Sequence, residues 1–374
     1  MAETYRRDAT DEATDDETKP TKLCDSSANL SRLTTMLQTS VEMLRRSSSS
    51  PVLQPSSHDL SSVSFQDLAQ LIQDSMSTPG RVYHSVHHVF DVAQEMKYET
   101  DSVAILAALF HDIIYLSIDQ QLTLAQQEIL AQATGRGGLN DYNNDTESDK
   151  GKDLVNSLLR SSSTSDPVVQ MVRTIFDCSQ LTAATPSPAN QPLSTQQRAQ
   201  SVPLPLGTNE YLSAFIAAKV LEGKISFQHL IQVVACIEAS IPFRSSQPQS
   251  DGTTGPMERL YQRLEQFCLK DNRSGSTVLT PHGLVETVQM AAFFANCDLR
   301  AFRDTAVVFF NSTWSLLPEW KPALLGSCFS LEDFRDALLL LQQRYQSTPH
   351  HLIFQSFRGT PSSETMQRYR KQAV

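Results

Sequence analysis

Three histidines and an aspartate recur along Tyr83-His-Ser-Val-His-His-Val-Phe-Asp-Val92. His84, His87, His88 and Asp91 stand at i, i+3, i+4 and i+7, so a helix over this stretch would bring all four to one face. Imidazole and carboxylate supply the nitrogen and oxygen donors that suit Mn, Fe, Co, Zn or Mg. An ordinary solvated face would carry Lys, Glu and Gln instead; histidines acting as half-buried caps and hydrogen-bonders are the plainer alternative.

The run Val103-Ala-Ile-Leu-Ala-Ala-Leu-Phe-His-Asp-Ile-Ile-Tyr115 is apolar on every side and reads as a buried helix, with His111 and Asp112 in its middle. Burying both without partners would cost on the order of several kcal/mol, comparable to the stability margin of a domain. Sequence neighbours point roughly 100° apart around a helix, so both reach one ion only if it lies toward the edge between them. Such an ion removes the burial cost, and an interior salt bridge to an arginine is the alternative. Asp298, set in Val288-Gln-Met-Ala-Ala-Phe-Phe-Ala-Asn-Cys-Asp-Leu-Arg-Ala-Phe302, repeats the pattern, with Arg300 and Arg303 as competing partners. A histidine, a His-Asp doublet and a distant aspartate together make an N/O ligand set.

These residues need helices to hold them. Val63, Phe65, Leu68, Leu71 and Ile72 predict an amphipathic helix capped by Ser62 or Ser64 and stopped at Thr78-Pro79-Gly80. Helical spacing recurs over 168–176, 210–221, 227–241, 257–269, 283–302, 305–317 and 331–346. No stretch alternates as a strand would, so the fold class expected is all-α. Residues 1–60 are rich in Thr, Ser, Asp and Glu and read as disordered, apart from Leu30 to Leu44, whose apolar spacing suits a docking helix. The remainder reads as one helical domain over 61–360 with polar insertions near 132–153, 180–208 and 245–256, followed by a flexible tail over 361–374.

A formal net charge of −10 argues against a grip on nucleic-acid backbone, which needs a basic surface. Small anionic ligands remain open, because a metal or local positive charge suffices for them. The six cysteines form no CxxC pair, there is no signal-peptide pattern, and no apolar run reaches the roughly 18–20 residues of a membrane span. A cytoplasmic protein with reduced thiols is the expectation.

On an all-α chain, the order His…His-Asp…Asp resembles the HD-domain superfamily of metal-dependent phosphohydrolases. Arg81-Val-Tyr-His-Ser-Val-His-His and Leu106-Ala-Ala-Leu-Phe-His-Asp-Ile-Ile-Tyr115 are similar to its small predicted-hydrolase branch, with bacterial and cyanobacterial members. The likeness is close over 81–115 and looser around Glu238 and Asp298. It implies an HD-like helical bundle with His88, His111, Asp112 and Asp298 as metal ligands. His88 is preferred over His84 because Val92 and Ala93 follow it at the family's spacing. His84 and His87 then become candidates to orient ligands or face substrate. Cys236-Ile-Glu-Ala-Ser-Ile-Pro-Phe-Arg244 resembles a segment of the same branch, which adds Glu238 as a catalytic candidate and Arg244 as a bidentate phosphate clamp. Two-metal members carry further histidines between the doublet and the last aspartate. Here only His229 and His282 stand there, so one divalent ion is expected.

The expected activity is hydrolysis of a phosphate ester, nucleotides foremost, by metal-activated water, with a small phosphorylated substrate as the partner. A non-catalytic HD module that senses a nucleotide or scaffolds a partner, and a metal-dependent oxygenase on the same fold, are the alternatives.

Overall fold

Ser64 begins the helix that starts at Phe65 by a reciprocal cap: its hydroxyl accepts from the Asp67 amide at 3.1 Å, and the Asp67 carboxylate accepts from the Ser64 amide at 3.2 Å. The computed structural model describes residues 19–47, 62–96, 101–119, 121–133, 155, 158, 166–177, 205–242, 255–270, 279–303, 306–320, 324, 330–347 and 353–372. Its helices are α1 (Lys19–Ser47), α2 (Phe65–Met76), α3 (Val86–Glu95), α4 (Ser102–Phe110), α5 (Leu116–Asp119), α6 (Leu124–Ala133) and α7 (Pro167–Ile175). They continue with α8 (Thr208–Leu221), α9 (Phe227–Ala239), α10 (Pro256–Lys270), α11 (Pro281–Asp298), α12 (Ala306–Trp320), α13 (Leu331–Ser347) and α14 (Ser363–Gln372). The described residues contain no strand beyond an isolated bridge between Phe357 and Thr360, so the fold is all-α.

The core sits around α4, every residue of which is buried. A nine-residue helix with no polar face is surrounded by necessity, and α1, α3, α8, α9 and α11 supply the cover. Helix α9 packs in turn on α8 and α11, bringing the Asp298 helix alongside α4. Gly207 turns the chain into α8 at φ +90°, where a Cβ would meet Ile241 Cδ1 at 2.8 Å. A second apolar cluster gathers Phe302, Leu316, Leu317, Leu341, Phe354 and Tyr369, among others, and Tyr83 and Leu299 pack against it. The two regions are tied by a two-way amide clasp. Asn296 Nδ2 donates to the Gln355 carbonyl at 2.7 Å, and the Gln355 amide donates to Asn296 Oδ1 at 2.8 Å.

At the amino end the docking helix expected over Leu30 to Leu44 is present and longer: α1 runs over Lys19–Ser47 and buries Leu33, Met36, Leu37 and Val41 against α2 and α4. The stripe outweighs the polar composition around it, since a docked helix needs only one apolar face. The flexible tail expected over 361–374 is corrected: α14 inserts Met366 and Tyr369 into the second cluster, and the Arg303 guanidinium lies 4.6 Å from the Tyr369 ring centre. Most of the three expected insertions lies outside the described residues, as do residues 1–18 of the expected disordered segment.

Candidate metal centre

Helix α4 stops at Phe110, and His111 is its C-cap, so the His-Asp doublet sits at a helix end and the turn beyond it rather than in mid-helix. Arg81 braces that turn. Its buried guanidinium donates to the carbonyls of Asp112 and Ile113, and Gln126 Nε2 takes the Ile113 carbonyl as well, at 2.7 Å. These bonds satisfy carbonyls that lie past the helix end and have no helical partner. Asp119 holds Arg81 in place: its carboxylate accepts from Arg81 Nε at 2.7 Å, from the Tyr115 amide at 3.0 Å and from the Thr78 hydroxyl at 2.8 Å. The turn frees Asp112 from the helical offset, and its Oδ2 comes to 2.9 Å from His111 Nε2.

His88 arrives from the first turns of α3, and Asp298 is the last residue of α11. Asp298 Oδ1 lies 3.1 Å from His88 Nε2 and 3.3 Å from His111 Nε2, and Asp112 Oδ2 lies 3.7 Å from His88 Nε2. Donor atoms of His88, His111, Asp112 and Asp298 all fall within 4.8 Å of one another, a grouping that can hold a metal ion. The structure thus brings together the four residues singled out in the sequence.

The donor set fits a cation on two grounds. His111 Nδ1 faces the Ala108 carbonyl at 2.9 Å, and a carbonyl only accepts, so Nδ1 carries the proton and Nε2 faces the carboxylates. That Nε2 is fully buried and, despite two oxygens within 3.3 Å, makes no hydrogen bond of acceptable geometry. A buried nitrogen left this way beside two carboxylates is the arrangement a cation completes. The second ground is that the competing arginines are engaged elsewhere. Arg300 and Arg303 pair with Glu95 at 3.7 and 2.7 Å, and Arg81 meets Asp112 only through its backbone carbonyl.

Burial opposes charge on His111, Asp112 and Asp298, yet mutual attraction prevails. Burial would lower the His111 pKa, but Asp112 and Asp298 hold it well above its ordinary value. Burial would likewise raise the two carboxyls, and the neighbouring imidazoles bring Asp298 down to about 2 and Asp112 below the usual carboxylate range. The two carboxylates demand positive charge, which protons or a metal ion can provide.

The remaining candidates divide. His84 precedes α3, so the one-face pattern of 84, 87, 88 and 91 does not form; Ser85 caps the helix and only the later members ride on it. His84 still faces the site, with Nε2 at 4.0 Å from Asp112 Oδ2. His87 is exposed and lines an open cleft of ≈ 340 Å³ together with Tyr83, His88, Asp298, Arg300 and Ser312. Glu238 does not join the cluster: its carboxylate is bonded by Arg263, joining α9 to α10. Arg244 lies outside the described residues.

Sequence reasoning missed Arg81 with Asp119, and it missed Glu319 of α12. The Glu319 carboxylate accepts from the backbone amides of Val82, Tyr83 and His84 and from the His84 ring. An available signal was the run Leu316-Leu-Pro-Glu-Trp320, an acid among apolar residues as at Asp298. No protein family, curated protein or solved structure matches the chain.

Proposed function

We propose that the chain is a metal-dependent phosphohydrolase of the HD type, acting on a phosphate ester, with nucleotides as the first class to test. The observation that carries this reading is the convergence of His88, His111, Asp112 and Asp298 around the buried, unpaired Nε2 of His111, beside an open cleft. A divalent ion bound there would supply a water of lowered pKa and polarise a phosphoryl oxygen. The chain's own contribution is placement. The Ala108 carbonyl fixes the His111 ring, Arg81 fixes the Asp112 turn, and the clasp at Asn296 steadies the end of α11. Arg300 and His87 border the cleft and offer donors to phosphate oxygens, the role the sequence suggested for Arg244. A cytosolic location accords with the buried thiols of Cys236 and Cys297, which form no disulfide.

Purified protein should contain, or take up, one equivalent of Mn, Fe, Co, Zn or Mg and hydrolyse members of a phosphomonoester and nucleotide panel. Asp112→Ala should abolish turnover with helicity retained. A protein that recruits no metal would sink the proposal. Tight nucleotide binding without turnover would replace hydrolysis by sensing, and oxygen consumption with a bound iron pair would replace it by oxygenase chemistry.

A further inference from the structure

Helix α12 contributes a buried acid that the ligand set does not use. The side chain of Glu319 is completely inaccessible to solvent. One carboxylate oxygen, Oε1, accepts from the amides of Val82 and Tyr83, each at 2.7 Å, and of His84 at 3.1 Å. The other, Oε2, accepts from His84 Nδ1. Because an ionised carboxylate donates nothing, this contact puts the ring proton on Nδ1 and aims Nε2 away from Glu319. Tyr83 and Tyr115 pack on the imidazole at steep angles, with ring centres at 4.9 and 4.7 Å, so two aromatic rings confine it.

The direction that remains is toward the metal centre. Nε2 stands 4.0 Å from Asp112 Oδ2, too far for a direct hydrogen bond. A single oxygen atom between them would contact both. His84 itself is not among the four mutually close donors. If Glu319 served only to brace the loop, Oε1 alone would satisfy the three amides. The second oxygen does something further: it specifies the ring.

We propose that Glu319 is a positioning residue that sets the orientation and tautomer of His84, so that His84 Nε2 addresses a water or phosphoryl oxygen bound beside Asp112. The catalytic part of this inference rests on the phosphohydrolase reading, and the setting of the ring does not. It makes the C-terminal region part of the site, although no ligand comes from it.

Glu319→Gln separates the two jobs of the carboxylate. Its amide oxygen can keep the three backbone bonds, while its NH₂ group facing Nδ1 requires the ring proton to move to Nε2. In the full-length protein loaded with Mn and assayed on p-nitrophenyl phosphate, Glu319→Gln should keep metal stoichiometry and melting temperature and lower kcat about 10–100-fold, with KM little changed. His84→Asn should lose a similar factor, and the double variant should lose no more. Spectra of ¹⁵N-histidine-labelled protein, with His84 assigned by its absence in His84→Asn, should show its proton shifting from Nδ1 to Nε2 in Glu319→Gln. An unchanged kcat, additive losses, or an unchanged His84 signal would overturn the proposal. If the wild type binds metal but hydrolyses no ester, the functional reading fails, and the ¹⁵N signals alone decide whether Glu319 sets the ring. Should Glu319→Gln fail to fold, His84→Asn, which leaves the three amide bonds intact, must still lose kcat, and full activity there would overturn the inference.

Discussion

Asp112 and Asp298 carry negative charge into a site where burial disfavours it, and they in turn hold the His111 imidazole well above its ordinary pKa. The signs of the shifts give a pH window. Asp298, depressed to about 2 against its usual value near 4, contributes stability that is present above roughly pH 4 and lost as pH falls through 2. His111, raised against burial by the two carboxylates, contributes stability that is full below about pH 6.5 and lost as pH climbs through its folded-state value. Metal-free protein should therefore melt highest between about pH 4 and 6.5. Saturating metal should raise the melting temperature most above that window, because a ligand nitrogen must first give up its proton. Melting curves at several pH values, with and without chelator, check this, and a metal-induced shift that grows toward acid pH would contradict it. His111, Asp112 and Asp298 were legible in the sequence because burying such groups unpaired is costly, and the sequence surrounds them with apolar residues. The choice of His88 over its neighbours came from the HD resemblance. Glu319 was not legible as a partner of His84, because no local pattern links residues 235 positions apart.

Among the elements, the end of α4 matters most. Arg81 is buried against Asp119 and holds the carbonyls of Asp112 and Ile113 in the turn that follows the helix. Arg81→Met should leave Asp119 as an uncompensated buried charge, costing about 3–5 kcal/mol in denaturant unfolding, and should weaken metal binding by loosening the Asp112 turn. Unaltered metal affinity in a folded variant would show that the turn holds its shape without Arg81. Gly207→Ala tests a different junction. The left-handed backbone at the start of α8, together with the 2.8 Å approach of Ile241, should cost about 1–2 kcal/mol or more. The caps and periods of the helices were readable locally: Ser64 with Asp67 is visible as a capping pair within four residues. The stop after Phe110 was not, since nothing in Phe-His-Asp-Ile breaks a helix by itself and Arg81, which braces the turn beyond it, lies about thirty residues upstream.

At the level of the whole molecule, two apolar clusters share the site between them, the larger holding α3, α4 and the body of α11 and the smaller holding α12 to α14. Helix α1 belongs to the first. Leu37→Ala should cost about 2–5 kcal/mol in denaturant unfolding, as for a core leucine, whereas a free N-terminal segment would tolerate it without change. Composition averaged over the first sixty residues concealed this helix, and the spacing of five apolar residues within it revealed a docking segment without fixing its ends. Glu319 gives the arrangement a direction in time. A chain made from its amino end presents His88, His111, Asp112 and Asp298 to solvent ahead of Glu319, by an interval on the order of seconds. On the proposed reading, metal capture and the setting of His84 are then separate events of biogenesis.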